Sequence, residues 1–289
     1  MMSSSYHRTT RIILTCLLPA CLLSGCSIKM AYNNLDRLVR WGVSDYVNLN
    51  REQRELLQAE LAKVHAWHRR NHLPEYAKFM TNLSVTLTDT VTPATMLAIT
   101  DQVFLWADEV EAQATPMVVR MMASLSDEQL AGLPVRLEES NEKIAEPELK
   151  GDLAKAQALW AEEISETLKQ FVGRLNRTQQ NYIEQRSVGY TPERVLWADY
   201  RRRFQADLLK LLERRREEAY FAAAYRELVQ GRESYYGEKL TAIFEANQQL
   251  NREVAAHILS NLTEKQSARL VDTLTDLAED FSELAAQEA

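Results

Sequence analysis

Three histidines have a spacing that could hold a metal ion. His65, His68 and His72 are three and then four residues apart, so one helix would carry them on the same face. Neutral imidazole nitrogens bind Zn²⁺ and Cu²⁺. The competing interpretation is structural, because His68 also continues an apolar series with Leu61 and Val64. We adopt the structural interpretation and predict no metal site.

Two runs of three arginines could bind anions such as lipid headgroups, lipopolysaccharide or an acidic client protein. Charge pairs on one helix offer a structural alternative, because Asp199 precedes Arg203 by four residues and Arg214 precedes Glu218 by four. The predicted anion-binding residues are Arg201, Arg202, Arg203, Arg214, Arg215 and Arg216.

The cysteine at position 26 follows a segment that has the pattern of a secretory signal. Arg8 and Arg11 precede an apolar run from Ile12 to Leu23, and residues 1–25 contain no acidic side chain. The run is too short to span a bilayer as a permanent helix, which takes about 20 apolar residues. We therefore predict that residues 1–25 are a signal peptide that is removed.

The residues Leu23, Ser24, Gly25 and Cys26 together resemble the lipobox of bacterial lipoproteins. The resemblance implies cleavage between Gly25 and Cys26, a diacylglycerol on the Cys26 thiol and a fatty acyl group on the new amino terminus. Three acyl chains exceed the two that stable anchoring needs. Ser27 stands where Asp favours inner-membrane retention in that family, so the resemblance implies the periplasmic face of the outer membrane. The alternatives are an ordinary signal peptide with an incidental cysteine and an uncleaved anchor.

The composition is that of an all-helical protein without disulfides. Glycine occurs 8 times and proline 7 times in 289 residues, while Ala, Leu, Glu, Gln and Arg dominate. Cys16 and Cys21 would leave with the signal, and lipid would occupy Cys26. The formal net charge is −7, and loss of Arg8 and Arg11 would bring it to about −9, which disfavours general binding of nucleic acid.

Signals for helix starts and stops divide the chain into a series of amphipathic helices. We predict starts near positions 34, 50, 74, 92, 115, 126, 147, 192, 238 and 263, and a break at Pro134. The segment 192–230 predicts one helix of about 39 residues and about 58 Å. Either this helix bends near the run at 214–216 or the molecule is elongated. The segment 189–193 has the clearest signals for the end of one helix and the start of the next. It predicts a division into two lobes near residue 189.

Four segments share the pattern Leu-polar-x-x-Gln, and they begin at Leu49, Leu125, Leu175 and Leu262. Each predicts a capping box, in which Asn, Ser or Thr accepts from a backbone N–H of the first turn and Gln three positions later returns the bond. The spacings of 76, 50 and 87 residues are unequal. The segments therefore indicate helix starts rather than a solenoid repeat.

The same pattern resembles the Leu-Thr-x-x-Gln signature of periplasmic helical stress proteins, a family that includes an ATP-independent chaperone. The segment from Leu262 to Gln266 matches it literally. A broader resemblance, to an uncharacterised Gram-negative lipoprotein family with a helical domain of unknown function, is carried by Tyr32-Asn33-Asn34-Leu35-Asp36, Asp45-Tyr46, Trp67-His68-Arg69 and Leu73-Pro74-Glu75-Tyr76-Ala77. It implies an anchored, helical periplasmic protein and supplies no catalytic residue.

Common catalytic motifs are absent from the sequence. It contains no nucleophile elbow, phosphate-binding loop, His-Glu-x-x-His motif or dinucleotide fingerprint. Glu139-Ser140 and Glu233-Ser234 each resemble the catalytic dipeptide of lytic transglycosylases, but neither is followed by the glycine-rich segment of that family. We predict that the protein is not an enzyme.

The sequence thus predicts an all-α, elongated multi-helix bundle with antiparallel long helices and no sheet. Residues 1–25 are the removed signal, 26–31 the lipidated terminus and a short tether, and 32–289 a helical periplasmic body. We expect non-catalytic binding or scaffolding of another envelope protein, with a chaperone-like holdase and a cell-wall hydrolase as alternatives. Apart from the acyl groups on Cys26 we expect no cofactor, and we expect neither nucleic acid nor a small-molecule substrate.

Overall fold

Most of residues 25–287, the part that the computed structural model describes, is helical. Two short 3₁₀ segments, Ser187–Gly189 and Arg232–Tyr235, interrupt the series of α-helices. Within the described range no strand occurs, so the predicted all-α class without a sheet is confirmed. The helices are α1 (Gly25–Asn33), α2 (Leu35–Ser44), α3 (Arg51–Asn71), α4 (Leu73–Thr86), α5 (Pro93–Ala123), α6 (Asp127–Leu149), α7 (Leu153–Val172), α8 (Arg177–Arg186), α9 (Arg194–Glu213), α10 (Glu218–Gln230), α11 (Gly237–Ser260) and α12 (Glu264–Ala286).

Burial of apolar side chains joins distant parts of the chain. The largest core cluster contains Leu83 of α4, Trp160 of α7, Ile183 of α8, Val254 of α11 and Leu274 of α12. Its members come from both sides of residue 189, so the two segments that the sequence divides there share a core. Among the helices of residues 25–287, none combines the length and the apolar character that crossing a bilayer would require.

Two helices continue through prolines that the sequence predicts as breaks or starts. α5 contains Pro116, and α6 contains Pro134 and Pro147. The predicted helix starts near 115 and 147 and the predicted break at 134 are therefore wrong. A proline in a helix interior costs about 3 kcal/mol, because it lacks an N–H and its ring crowds the carbonyl four residues earlier. Burial of Val119 and Leu133 in one core cluster offsets this cost.

The segment 192–230 is two helices rather than one. α9 ends at Glu213 and α10 begins at Glu218, so the predicted single helix over 192–230 is wrong, and the chain changes direction near the arginine run, which was one of the two alternatives. Arg215 lies at this break and is only 3% exposed. Its guanidinium donates to the Leu125 carbonyl at 2.8 Å and to the Leu212 carbonyl at 3.1 Å. A buried cation therefore holds the turn against the connection between α5 and α6.

The N-terminal end of the described chain is a helix packed on the body. Lys29 of α1 lies 2.9 Å from the Asp280 carboxylate and 2.6 Å from that of Glu283, both on α12. Arg69 of α3 donates to the Asn33 side chain at 3.1 Å. The structure thus has a docked helix at residues 26–31, where the sequence predicts a short tether.

The four predicted capping boxes are confirmed, and they occur in two pairs. Gln53 and Gln129 exchange side-chain amide hydrogen bonds of 2.9 and 2.8 Å. Gln179 and Gln266 exchange bonds of 3.1 and 2.9 Å. Each pair joins the N-termini of two helices whose glutamines are 76 or 87 residues apart in sequence.

Candidate functional site

An open cleft lies between the end of α6 and the first half of α7, next to the start of α9. Its volume is about 420 Å³, which is within the range of small-ligand and side-chain sites. Apolar and charged side chains both contribute to its walls. Among those that line it are Pro147, Leu159, Trp160, Lys155, Tyr190 and Arg194.

Two stacked aromatic rings form one wall of the cleft. The rings of Trp160 and Tyr190 are 5.9 Å apart at an interplanar angle of 18°. The Trp160 indole N–H donates to Asn251 at 2.9 Å, and Gln157 donates to the Val188 carbonyl at 3.1 Å. These bonds fix the indole and the loop before α9, so the wall is formed before any partner arrives.

A carboxylate in the cleft caps the helix that borders it. Glu148 accepts the backbone N–H groups of Glu193 at 2.9 Å, Arg194 at 2.8 Å and Val195 at 3.1 Å. The first N–H groups of a helix have no partner within the helix, and the helix dipole favours a negative charge there. The Arg194 side chain pairs with Glu163 at 2.7 Å. Glu148 thus holds the start of α9 beside α6, and the Arg194–Glu163 pair holds it beside α7.

Glu193 titrates at an unusual pH for a carboxyl group. Burial raises its pKa to about 7, a hydrogen bond from Asn247 opposes this shift, and the charge of Glu148 adds to it. Asn247 donates to the Glu193 carboxylate at 2.7 Å and to the Thr191 carbonyl at 2.8 Å. A carboxyl with this pKa could transfer protons, but its partner is a structural amide. Among the residues that line the described cleft there is no histidine, cysteine or serine.

No pattern in the sequence marks Glu148 or Glu193 as a functional residue. Glu148 caps a helix that begins 46 positions later, so no local pattern shows its role. The run Thr191-Pro192-Glu193 indicated only a helix start. Burial of the Glu193 carboxyl in the folded protein is what raises its pKa, whereas the hydrogen bond from Asn247 on α11 lowers it.

Exposed apolar side chains border the cleft. Leu149 is 69% exposed and Leu153 57%, and they lie at the turn between α6 and α7. Val188, 75% exposed, lies in the loop that Gln157 holds. All three lie within two residues of side chains that line the cleft, and exposed apolar side chains near a cleft are typical of a binding surface. The arrangement suits binding of a partner segment through apolar side chains, with charged groups beside them.

The three histidines lie together, but their rings meet tyrosines and one another. His68 Nδ1 is 3.1 Å from the Tyr32 hydroxyl, and its Nε2 is 3.3 Å from the Tyr76 hydroxyl. The His68 and His72 rings are stacked at 5.2 Å with an interplanar angle of 5°. Within residues 25–287, no group of three or more His, Cys, Asp or Glu side chains has an arrangement that could hold a metal ion.

The histidine cluster is uncharged at neutral pH. Burial is the main cause that lowers the pKa of His65, His68 and His72. For His68 the pKa falls to about 4, with the neighbouring charges of His72 and His65 as smaller causes. Tyr32 of α1 therefore contacts a neutral imidazole.

The six arginines of the predicted anion site all have partners inside the protein. The first three connect α9 to neighbouring segments, and the other three hold the break between α9 and α10. This geometry is that of structural anchors, and anion binding by these residues stays a prediction. For Arg201, Arg202, Arg203, Arg214, Arg215 and Arg216 the partners are, in that order, Asn141, Glu138, the Tyr235 carbonyl, Glu217, Asp127 and again Asp127.

The glutamates of the two transglycosylase-like dipeptides lie away from the cleft, and the side chain of the predicted lipidation residue is not among those that the structure describes. Cys26 belongs to α1 by its backbone, but its side chain and residues 1–24 of the predicted signal are outside the described residues. Glu139 lies on α6 and pairs with Arg136 at 3.4 Å. Glu233 lies in the 3₁₀ segment before α11. Neither glutamate lines the cleft.

Comparisons with known proteins relate the chain to one family. The profile of a family of unknown function (DUF6279) matches residues 45–240, about two thirds of the chain. No curated protein and no solved structure matches.

Proposed function

The chain belongs to the DUF6279 family, a family of unknown function, and from that premise we propose a lipid-anchored binding module of the cell envelope. In this proposal Cys26 carries the acyl groups, and the protein lies at the periplasmic face of the outer membrane. The helical body binds or scaffolds another envelope protein without catalysing a reaction.

The observation that carries the binding role is the cleft with its exposed apolar border. Leu149, Leu153 and Val188 leave apolar surface in water beside the stacked rings of Trp160 and Tyr190. Burying such surface against a partner is favourable by about 25 cal/mol per Å². Several charged groups that line the cleft are already paired within the protein, as Glu148 and Arg194 illustrate. They are therefore suited to positioning a partner rather than to chemistry.

The anchor rests on the sequence pattern that ends at Cys26. Ser27 supports the outer membrane rather than the inner one, through the lipobox resemblance. The docked α1 supports an anchored body, because a lipid on residue 26 would begin one turn before Met30 on a helix that Lys29 ties to α12.

Site-specific crosslinking in cells tests the binding role. A photo-reactive residue placed at position 153 is expected to give a discrete adduct with an envelope protein. The matched control is position 85 on α4, because Val85 is 69% exposed but lies outside the cleft. Equal crosslinking at both positions, or none at position 153, would contradict a binding role for the cleft.

A chaperone-like holdase is the second candidate. The exposed apolar border of the cleft favours it, because such surface would also hold unfolded segments of a client. The match of Leu262 to Gln266 to the stress-protein signature points the same way. Suppression of the aggregation of a denatured client by the purified protein would support this role. A scaffold with one fixed partner would leave that aggregation unchanged.

A further inference from the structure

The second helix exposes its largest apolar side chains. No residue of α2 is buried, and Trp41 is 71% exposed and Leu38 44%. The two residues are three positions apart, so they share one face of the helix. Met30 of α1, 66% exposed, adds a third apolar side chain to this N-terminal part. A surface helix normally turns such residues toward the core, so this face lacks a partner within the described chain.

The body holds α1, and with it Met30, in a fixed position relative to residue 26. α1 is tied to α12 through Lys29 and Asp280 at 2.9 Å. It is tied to α3 through Tyr32 and His68 at 3.1 Å. Met30 follows residue 26 by four positions, which is about 6 Å along a helix. A lipid at residue 26 would therefore bring Met30 close to the bilayer surface, and α2, which a single residue separates from α1, follows directly.

The chemistry of this face suits the boundary between lipid headgroups and acyl chains. Tryptophan is enriched at that boundary, because its ring is apolar and its N–H is polar. Arg37 is exposed and precedes Trp41 by four residues, so both lie on the same side of α2. Arg40 pairs with Asp36 at 2.7 Å. The face thus combines apolar side chains with a cation that can meet lipid phosphates.

We propose that Met30, Leu38 and Trp41 insert into the interfacial region of a phospholipid bilayer and that Arg37 contacts its phosphates. This inference rests on the proposed lipid anchor. The acyl chains would hold the protein at the membrane, and the helix contact would fix the orientation of the body.

Quenching of tryptophan fluorescence tests this contact. The full lipidated protein is reconstituted into vesicles of phosphatidylethanolamine and phosphatidylglycerol that contain a brominated phospholipid. We expect quenching in the wild-type protein and its loss in Trp41→Phe. Trp197→Phe is the matched control, because it removes one of the 5 tryptophans from a buried position and should leave the quenching in place. The decrease in quenching in vesicles without phosphatidylglycerol measures how much Arg37 contributes to the membrane contact.

Flotation of the same samples separates the two proposals. Protein that floats with the vesicles but is quenched equally in the wild type and Trp41→Phe keeps its anchor and overturns the interfacial contact. Protein that does not float overturns both. A dimer in detergent that Trp41→Ser abolishes would assign this face to a second copy of the chain and would also overturn the lipid contact.

Discussion

Gln179 and Gln266 each donate a side-chain hydrogen bond to the amide oxygen of the other, at 3.1 and 2.9 Å. Each glutamine also accepts the N-cap N–H of its own helix, at 2.9 Å from Asn176 and 3.0 Å from Thr263. Each glutamine thus caps the start of its own helix and binds the start of the other helix. The pair is buried, so loss of either member leaves an amide without its partner.

Replacement of Gln179 by Ala should lower the free energy of unfolding by about 2 kcal/mol, because the Gln266 side chain, which still bonds to Arg174 and Thr263, keeps one buried amide N–H without an acceptor. The double variant with Gln266→Ala should cost less than the sum of the single variants, since neither orphan then remains. Urea unfolding measures both effects. Thr178→Ala, an exposed neighbour, should change stability by less than about 0.5 kcal/mol. Additive effects in the double variant would contradict a coupled pair.

Arg215→Met should destabilise the protein by about 2 kcal/mol, because the Leu125 and Leu212 carbonyls lose their buried donor. Arg216→Ala removes an exposed side chain that pairs with the same Asp127 carboxylate as Arg215. It should cost less than about 1 kcal/mol. Thermal unfolding of the two variants side by side measures the difference. Similar costs would show that the buried arginine does not hold the turn.

Stability should fall as the pH is lowered from about 6.5 toward 4, because the unfolded chain then binds a proton that folded His68, with a pKa of about 4, excludes. Above the unfolded pKa of His68, the neutral ring makes its full contribution to the free energy of unfolding. Complete loss of this contribution lowers the free energy of unfolding by about 3 kcal/mol. His68→Gln should flatten this part of the curve of unfolding free energy against pH. An unaltered slope in His68→Gln would contradict the buried neutral imidazole.

Glu193 should have the opposite dependence, because its folded pKa of about 7 lies above the usual carboxyl value. Its buried neutral form adds stability below the unfolded pKa, and this is lost as the pH rises through 7. The effect of Glu193→Gln on the free energy of unfolding should therefore be more favourable at pH 8 than at pH 5 by about 2 kcal/mol, after allowance for solvent access. A carboxyl titration by ¹³C NMR measures the pKa directly. A midpoint below 5 would contradict the prediction.

Cys26→Ala should abolish incorporation of radiolabelled palmitate and release the protein from the membrane fraction, because the acyl chains supply the anchoring free energy. Cys21→Ala is the matched control within the predicted signal and should change neither. Labelling that persists in Cys26→Ala would refute the proposed anchor.

Much of the helical pattern is determined by contacts within a few residues, and this part can be predicted from the sequence. Asn50, Ser126 and Thr263 cap helices through bonds to residues three positions later, so each helix start is visible within one short segment. The scarcity of glycine and proline indicated the all-α class for the same local reason.

The tertiary structure decided which local signals prevail and where the candidate site lies. Pro116 and Pro134 remain inside helices because burial of faces such as that of Leu133 offsets their cost. The pairing of Gln179 with Gln266 and the capping of α9 by Glu148 join residues 87 and 46 positions apart. A sequence pattern records contacts within a few residues, whereas these depend on how distant helices pack. The sequence by itself therefore determined the helical class and the capped helix starts, whereas packing decided which prolines stay inside helices and where the cleft lies.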